Sequence, residues 1–374
     1  MKVLHIYRTY FPETQGGLQE AIRQIACGLS RAGATSSVFT LAKKPRPDVL
    51  RIDDAEVFRA RSVVDVSSCD IGSPLSVLWF RRLAARADIL NFHYPWPFGD
   101  VLELLGNPGK PYVITYHSDI VRQRVAEAIY APLRSHFVAG ASSIITTSPA
   151  YARTSEYLSR TGRSVDVIPL SIDPSDIKPA SDEVAQIWQR RFPEPFFFFV
   201  GVLRYYKGLE YLIEAARITG FNVVIAGDGP ERDRLRYLAA GLGNVHFLGR
   251  VSDEDKFALI QQCRAVVFPS HLRAEAFGVS LLEGAALGKA MISTEIGTGT
   301  SYVNVHAETG LVVPPANPEA FAVAMQNLID NPEVAAQYGK AARERCVQKF
   351  DTTQVGRAYM KLYERVLVSQ AFPK

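Results

Sequence analysis

Two glutamates bracket one stretch, Glu275-Ala276-Phe277-Gly278-Val279-Ser280-Leu281-Leu282-Glu283-Gly284-Ala285. It follows a strand-like run and opens an apolar helix, which puts Glu283 about two turns inside that helix. A carboxylate there is costly without partners, and two ligand hydroxyls suit it because one carboxylate accepts from both. The backbone N–H groups of Phe277, Gly278 and Val279 would meet a ligand from the helix start. A second segment, Val202-Leu203-Arg204-Tyr205-Tyr206-Lys207-Gly208-Leu209, holds two cations between a buried strand and a helix. Arg204 and Lys207 there suit a diphosphate, and solvated surface charges would read the same way. His117, in Thr115-Tyr116-His117-Ser118-Asp119, follows a strand, and His93 has a similar place. Either histidine could be structural or catalytic. Gly16 and Gly17 lie between the first strand and its helix, where they form a simple turn or let amides approach an anion or sugar. They are not a GxGxxG fingerprint, which argues against a dinucleotide.

The elements that must position these residues alternate along the chain. Strand-like runs are Val3–Tyr7, Ser37–Leu41, Ile89–Phe92, Tyr112–Tyr116, Ser143–Thr147 and Val165–Ile168 in the first half. The second half repeats the rhythm with Phe197–Val202, Asn222–Ala226, Val245–Leu248, Ala265–Pro269 and Ala290–Thr294. Helix-period segments lie between, such as Leu18–Arg31 with Gly33 as its stop signal. Continuous apolar strands separated by helices imply parallel sheets covered on both faces. The expected fold is therefore α/β, with two doubly wound Rossmann-like domains. A turn-rich joint lies near Pro169–Pro179, giving domains over residues 1–172 and 173–352. A C-terminal helical segment, residues 353–374, follows and is expected to pack back toward the first domain. Ligands of open parallel sheets bind at the carboxyl ends of strands, so an interdomain cleft is the expected site.

Composition excludes several classes. With 374 residues the chain is too long for one ordinary core, and its 47% hydrophobic content rules out disorder. The longest apolar run, Phe196–Leu203, is far short of the roughly 20 residues that span a membrane. The N-terminus reads as a strand and lacks a signal-peptide pattern. Four dispersed cysteines, Cys27, Cys69, Cys263 and Cys346, argue against a zinc site or disulfide framework and fit a reducing cytoplasm. The formal charge is +4, too little for a nucleic-acid binder. All of it lies in residues 1–173, which hold 20 Lys and Arg against 16 Asp and Glu.

These segments resemble the family 4 retaining glycosyltransferases of GT-B architecture. The match rests on Gly16-Gly17, His117, the Arg204–Lys207-Gly208 loop, Gly227-Asp228-Gly229-Pro230, Phe247-Leu248-Gly249, the Glu275–Glu283 pair and Glu308-Thr309-Gly310-Leu311. The resemblance spans nearly the whole chain. It implies that Arg204 and Lys207 hold the donor's diphosphate, Glu283 binds its ribose, and Glu275 binds the donor sugar with the amides that follow. It also implies that His117 lies against that sugar and that Gly16 and Gly17 cover it from the first domain. Neither metal nor cofactor is implied, because the basic pair takes the place of Mg²⁺. The chain shows no DxD motif, in keeping with that.

The segment Gly249-Arg250-Val251-Ser252-Asp253-Glu254-Asp255-Lys256 resembles that of GDP-mannose users, with Asp253 and Lys256 as candidates for the base; a charged helix cap would look the same. The region Gly297–Asn304 departs from the commoner family pattern. With Tyr116–Asp119 and Pro95–Asp100 it resembles bacterial mannosyl- or rhamnosyltransferases of surface polysaccharide, including O-antigen. The resemblance implies a glycan acceptor, expected on a polyprenyl diphosphate. Val77–Arg86 suggests peripheral contact with an anionic membrane, or an ordinary surface helix. A UDP-sugar transferase of the same architecture, an epimerase, a phosphorylase and a non-catalytic nucleotide-sugar scaffold are the competing readings.

Overall fold

In the computed structural model, residues 1–66, 69–119 and 124–371 are described. They form two units: Met1–Ser171 together with the segment starting at Thr352, and Ile172–Asp351. Residues 372–374 of the expected C-terminal segment lie outside the described residues.

Among the described residues, the first unit holds a nine-stranded sheet. Its strands are β1 (Lys2–Ile6), β2 (Thr35–Ala42), β3 (Val49–Ile52), β4 (Ala55–Val66), β5 (Cys69–Gly72), β6 (Ile89–Tyr94), β7 (Tyr112–Tyr116), β8 (Ser143–Thr146) and β9 (Val165–Val167). The order is β3-β4-β2-β1-β6-β7-β8-β9, with β5 paired to β4. β1 lies between β2 and β6, parallel to both, with Leu4 opposite Ser37 and Leu90. The chain therefore winds outward in both directions from β1, and the carboxyl ends of β1 and β6 mark a switch point. Helices cover both faces, so β1 beyond the exposed Lys2 is apolar except for one enclosed residue, His5.

β3, β4 and β5 escape a search for continuous apolar runs. Their pairings, β3–β4 and β4–β5, are antiparallel, so the sheet is mixed where a parallel one was expected. β4 carries Glu56, Arg59 and Arg61 among its apolar residues; Glu56 and Arg61 are exposed, and the buried Arg59 is ion-paired with Glu13. The C-terminal helix Thr352–Ala371 packs on Gly17–Arg31 with the backbones touching. A Cβ on Gly356 would lie 2.1 Å from the carbonyl carbon of Gly28. Ile25, Leu29, Val355, Tyr359 and Tyr363 share one core there. Inside it, Asn91 Nδ2 donates to Tyr363 Oη at 2.8 Å, and Asn91 Oδ1 accepts from Thr115 Oγ1 at 2.8 Å.

The second unit has a parallel sheet of six described strands: β10 (Phe196–Val200), β11 (Asn222–Ala226), β12 (Val245–Gly249), β13 (Ala265–Phe268), β14 (Ala290–Thr294) and β15 (Gly310–Val313). The order is β12-β11-β10-β13-β14-β15. The four phenylalanines of β10 are buried on both faces, as a central parallel strand requires. Its switch point lies between β10 and β13. The loops that leave those two strands carry Arg204, Lys207 and Glu275.

Candidate active site

The two switch-point loops are joined through backbone. Gly208 has φ 64°, and a Cβ on it would lie 2.2 Å from the carbonyl oxygen of Pro269. His271 N donates to the carbonyl of Tyr206 at 3.0 Å. No other residue type fits at 208 without moving one loop off the other. This approach brings Lys207 Nζ into an ion pair with the Glu275 carboxylate. Both side chains are only 12% exposed, and the ammonium also lies 4.7 Å from the centroid of the Phe268 ring. Arg204, on the same loop, is exposed.

The loop after β11 locks onto the loop after β10 in the same manner. A Cβ on Gly227 would lie 1.9 Å from Gly201 O, and one on Gly229 would lie 2.4 Å from Leu203 O. Leu203 N in turn donates to Asp228 O at 3.0 Å.

A second lysine–glutamate pair forms across two helices. Lys256 Nζ is 2.8 Å from Glu283 Oε1 and 2.7 Å from Asp253 Oδ1. Burial works against the Lys256 charge, but the two carboxylates outweigh it and raise its pKa. Ser252 Oγ caps the helix Asp253–Gln262, which leaves Asp253 exposed in its first turn. Glu283 belongs to the helix Val279–Ala286, which starts from Gly278 at φ 96°. The Phe277 ring is buried edge-on against Phe350, with centroids 6.0 Å apart. Gly299 presses on it and donates its N–H to Ala276 O at 2.8 Å. Phe277 thus anchors the loop through its ring, and only its backbone is left for a ligand.

The other candidates belong to the first unit. Gly17 begins the helix Gly17–Arg31, and Gly16 precedes it with extended backbone at φ −178°. The Gly16 carbonyl accepts from Glu20 N at 3.0 Å. His117 follows β7, and its N–H donates to Tyr94 O at 3.0 Å. Its Nε2 lies 3.0 Å from His93 Nδ1, and His93 Nε2 lies 3.1 Å from Nδ1 of His5. The three imidazoles form a row across β1, β6 and the end of β7.

Burial pushes the pKa of His5 and His117 down to about 3. His93 is also lowered, by burial first and then by its two neighbours. In the unfolded chain these rings titrate near 6.5, so below that pH the unfolded state binds protons that the folded state refuses. Stability is fully retained above about pH 6.5 and falls as the pH drops toward the folded values. Each ring is expected to remove about 1.4 kcal/mol per pH unit well below 6.5. Thermal melts between pH 7.5 and 5 check this, and a flat melting temperature would mean that the rings are protonated in the fold.

His5 went unnoticed in the sequence, where its signal was a lone polar residue inside an otherwise apolar central strand. Asp100, which the sequence marked only as the end of the Pro95–Asp100 segment, has a carboxyl that burial pushes up to about 8, and Tyr130 Oη donates to it. Nearby, Tyr94 and Tyr116 stack 4.6 Å apart, and Asp119 Oδ1 accepts from Tyr116 Oη at 2.9 Å and Ser155 Oγ at 2.7 Å. Among the described residues, no group of three or more His, Cys, Asp or Glu is placed to hold a metal ion.

The second unit thus sets cations beside carboxylates at the switch point of a Rossmann-like sheet, and comparison with known proteins identifies the family. Residues 16–171 match the glycosyl transferase 4-like domain, and residues 181–345 match the glycosyl transferases group 1. The chain is 48% identical to the D-rhamnosyltransferase WbpZ of Pseudomonas aeruginosa, over 94% of this chain and 92% of that protein. It is 39% identical to the O-antigen chain mannosyltransferase C of Escherichia coli, over 99% of this chain and 100% of that one. In fold it is similar to the sucrose-phosphate synthase of Thermosynechococcus elongatus, with TM-score 0.82 and 24% identity over 98% and 99% of the two chains. The chain belongs to the group 1 glycosyltransferases of the GT-B class and is a glycosyltransferase.

Proposed function

We propose that the chain transfers mannose or a 6-deoxy relative from a GDP-sugar to a glycan acceptor, with retention, in O-antigen or related polysaccharide assembly. The observation that carries this reading is the similarity, along nearly the whole chain, to a rhamnosyltransferase and an O-antigen mannosyltransferase. In this reading Arg204 and Lys207 hold the diphosphate, Glu283 takes the ribose hydroxyls, Asp253 with Lys256 meets the base, and Glu275 takes the sugar. The amides of Phe277, Gly278 and Val279 assist Glu275. His117, Gly16 and Gly17 serve the sugar and phosphates from the first unit. The backbone at Gly16 does not demand glycine; a Cβ there would lie 3.0 Å from Gln19 Oε1, and the close approach of a ligand would be a second reason for one.

The bond from the anomeric carbon to the phosphate oxygen breaks, and its electron pair leaves with the diphosphate. Arg204 and Lys207 stabilise that charge as it develops, so the reading needs no metal or cofactor. The acceptor hydroxyl bonds to the same face of the sugar and passes its proton to the departing phosphate oxygen. A titration with GDP and UDP, followed by a panel of nucleotide sugars, tests the donor. GDP is expected to bind at least about tenfold more tightly, since one carboxylate accepts from two donors on guanine. Tighter binding of UDP would favour the UDP-sugar alternative, and failure to hydrolyse any donor would favour a scaffold.

The acceptor is proposed to be lipid-linked at an anionic membrane surface. The helix Pro74–Arg86 exposes Leu75, Leu78, Arg81 and Arg82, and the neighbouring β4–β5 pair exposes Val63, Val64 and Ile71. No described helix is long and apolar enough to cross a membrane. Basic residues at a surface each add about 1 kcal/mol of attraction to anionic lipid. Sedimentation with phosphatidylglycerol vesicles is expected to carry the protein down, less so after Leu75→Ser with Leu78→Ser. No sedimentation of the parent protein would remove the membrane from the proposal.

A further inference from the structure

The row His5–His93–His117 uses three buried groups that no transfer step requires in such number. The nitrogen separations of 3.0 and 3.1 Å are hydrogen-bond distances. Ligands of a shared ion would converge on it at roughly 2.0–2.1 Å each, which a row of directly bonded rings does not do. Each contact needs one N–H and one lone pair, so neutral rings must all point the same way. In one direction every ring is protonated at Nδ1, and His5 Nε2 ends the row as a lone pair. In the other every ring is protonated at Nε2, and His5 Nε2 ends the row as an N–H.

His5 Nε2 is buried and without a hydrogen-bond partner. A buried N–H without an acceptor is the rarer and less tolerated of the two endings. The first direction therefore prevails, and the row is closed at its His5 end. Burial, which disfavours an imidazolium at any of the three positions, keeps the row in its neutral form.

We propose that His93 and His5 are positioning residues that hold His117 in its Nδ1–H tautomer, so that the nitrogen left outside the row meets the ligand as a hydrogen-bond donor and not as a base. This rests on the reading that His117 lies against the donor, and the partner it selects is a sugar hydroxyl or phosphate oxygen. His5 and His93 act through His117 and touch no substrate.

Long-range ¹H–¹⁵N correlation on ¹⁵N-histidine-labelled full-length protein reads each tautomer, with assignments from single substitutions. His117 is expected as Nδ1–H at pH 7.5. His93→Phe removes both of its contacts and is expected to release His117 into a mixture of tautomers. His93→Gln offers one donor and one acceptor on a planar group and is expected to keep Nδ1–H. In step with this, kcat is expected to fall on the order of 10–100-fold in His93→Phe and to be largely restored in His93→Gln. An Nε2–H or doubly protonated His117 in the parent protein, or an unchanged Nδ1–H in His93→Phe, overturns the proposal. If His93→Phe does not fold, the parent spectrum decides alone. His117→Phe with unchanged kcat and donor KM would instead overturn the donor-contact reading and leave the tautomer result standing.

Discussion

Lys207→Ala is expected to lower kcat about 100- to 1,000-fold, the range for removing one preorganised group that meets developing charge. Lys207 sits where the loops after β10 and β13 touch, its ammonium on the Glu275 carboxylate and over the Phe268 ring. That seat is mostly out of water, so its charge acts with less screening than a surface lysine would. The substitution also strands Glu275 without its cation. Losing a partner for a partly buried carboxylate costs about 1–3 kcal/mol, so a modest fall in melting temperature is expected beside the kinetic defect. The double variant Lys207→Ala with Glu275→Gln separates the two effects. It is expected to recover stability and to remain slow. Single-turnover kinetics with near-parental rates in Lys207→Ala would exclude the lysine from the chemical step.

The second large effect is expected in donor affinity. Glu283→Ala is expected to weaken GDP binding about 10–100-fold, since hydrogen bonds to a charged acceptor contribute about 1.5–3 kcal/mol. The turnover number is expected to change less, because the ribose is held equally in the ground and transition states. Lys256, which shares that carboxylate at 2.8 Å, would retain Asp253 and the face of the Phe257 ring. Calorimetry with GDP and with 2′-deoxy-GDP isolates the ribose contact. The parent protein is expected to prefer the ribonucleotide, and Glu283→Ala is expected to lose that preference. Equal affinities in the parent protein would place Glu283 elsewhere.

The residues of this site were legible in the sequence where their types clashed with their setting. Glu283 stood out as a carboxylate inside an apolar helix, and Arg204 and Lys207 as cations at the end of a buried strand. What stayed hidden was pairing. Lys207 and Glu275 are 68 residues apart, and only the strand order places their loops side by side. Lys256 suggested a contact to the base, yet nothing in its neighbourhood pointed to Glu283. The central parallel strands were visible as continuous apolar runs, whereas β4 was not, since charged residues interrupt it: Glu56 and Arg61 are exposed, and the buried Arg59 is ion-paired with Glu13. β15 was hidden although β8 and β13 are as short, because its apolar run Leu311–Val313 sits between Gly310 and the Pro314-Pro315 pair, as a loop's would. His5 shows the same limit in the other direction: a buried polar residue is informative only once its neighbours across the sheet are known.

The glycines at 208, 227 and 229 have a further consequence for changing the donor. Each leaves room for a carbonyl oxygen less than 2.5 Å from where a Cβ would stand. The spacing among the loops after β10, β11 and β13 is thus set by main chain pressed against main chain, which no side-chain exchange elsewhere can widen. Retargeting this scaffold to another nucleotide sugar is then a matter of repainting the rim, at exposed positions such as Asp253. Variant libraries that lengthen or shorten the glycine-bearing loops would be dominated by misfolded chains, while libraries confined to the rim would keep a working frame in nearly every member.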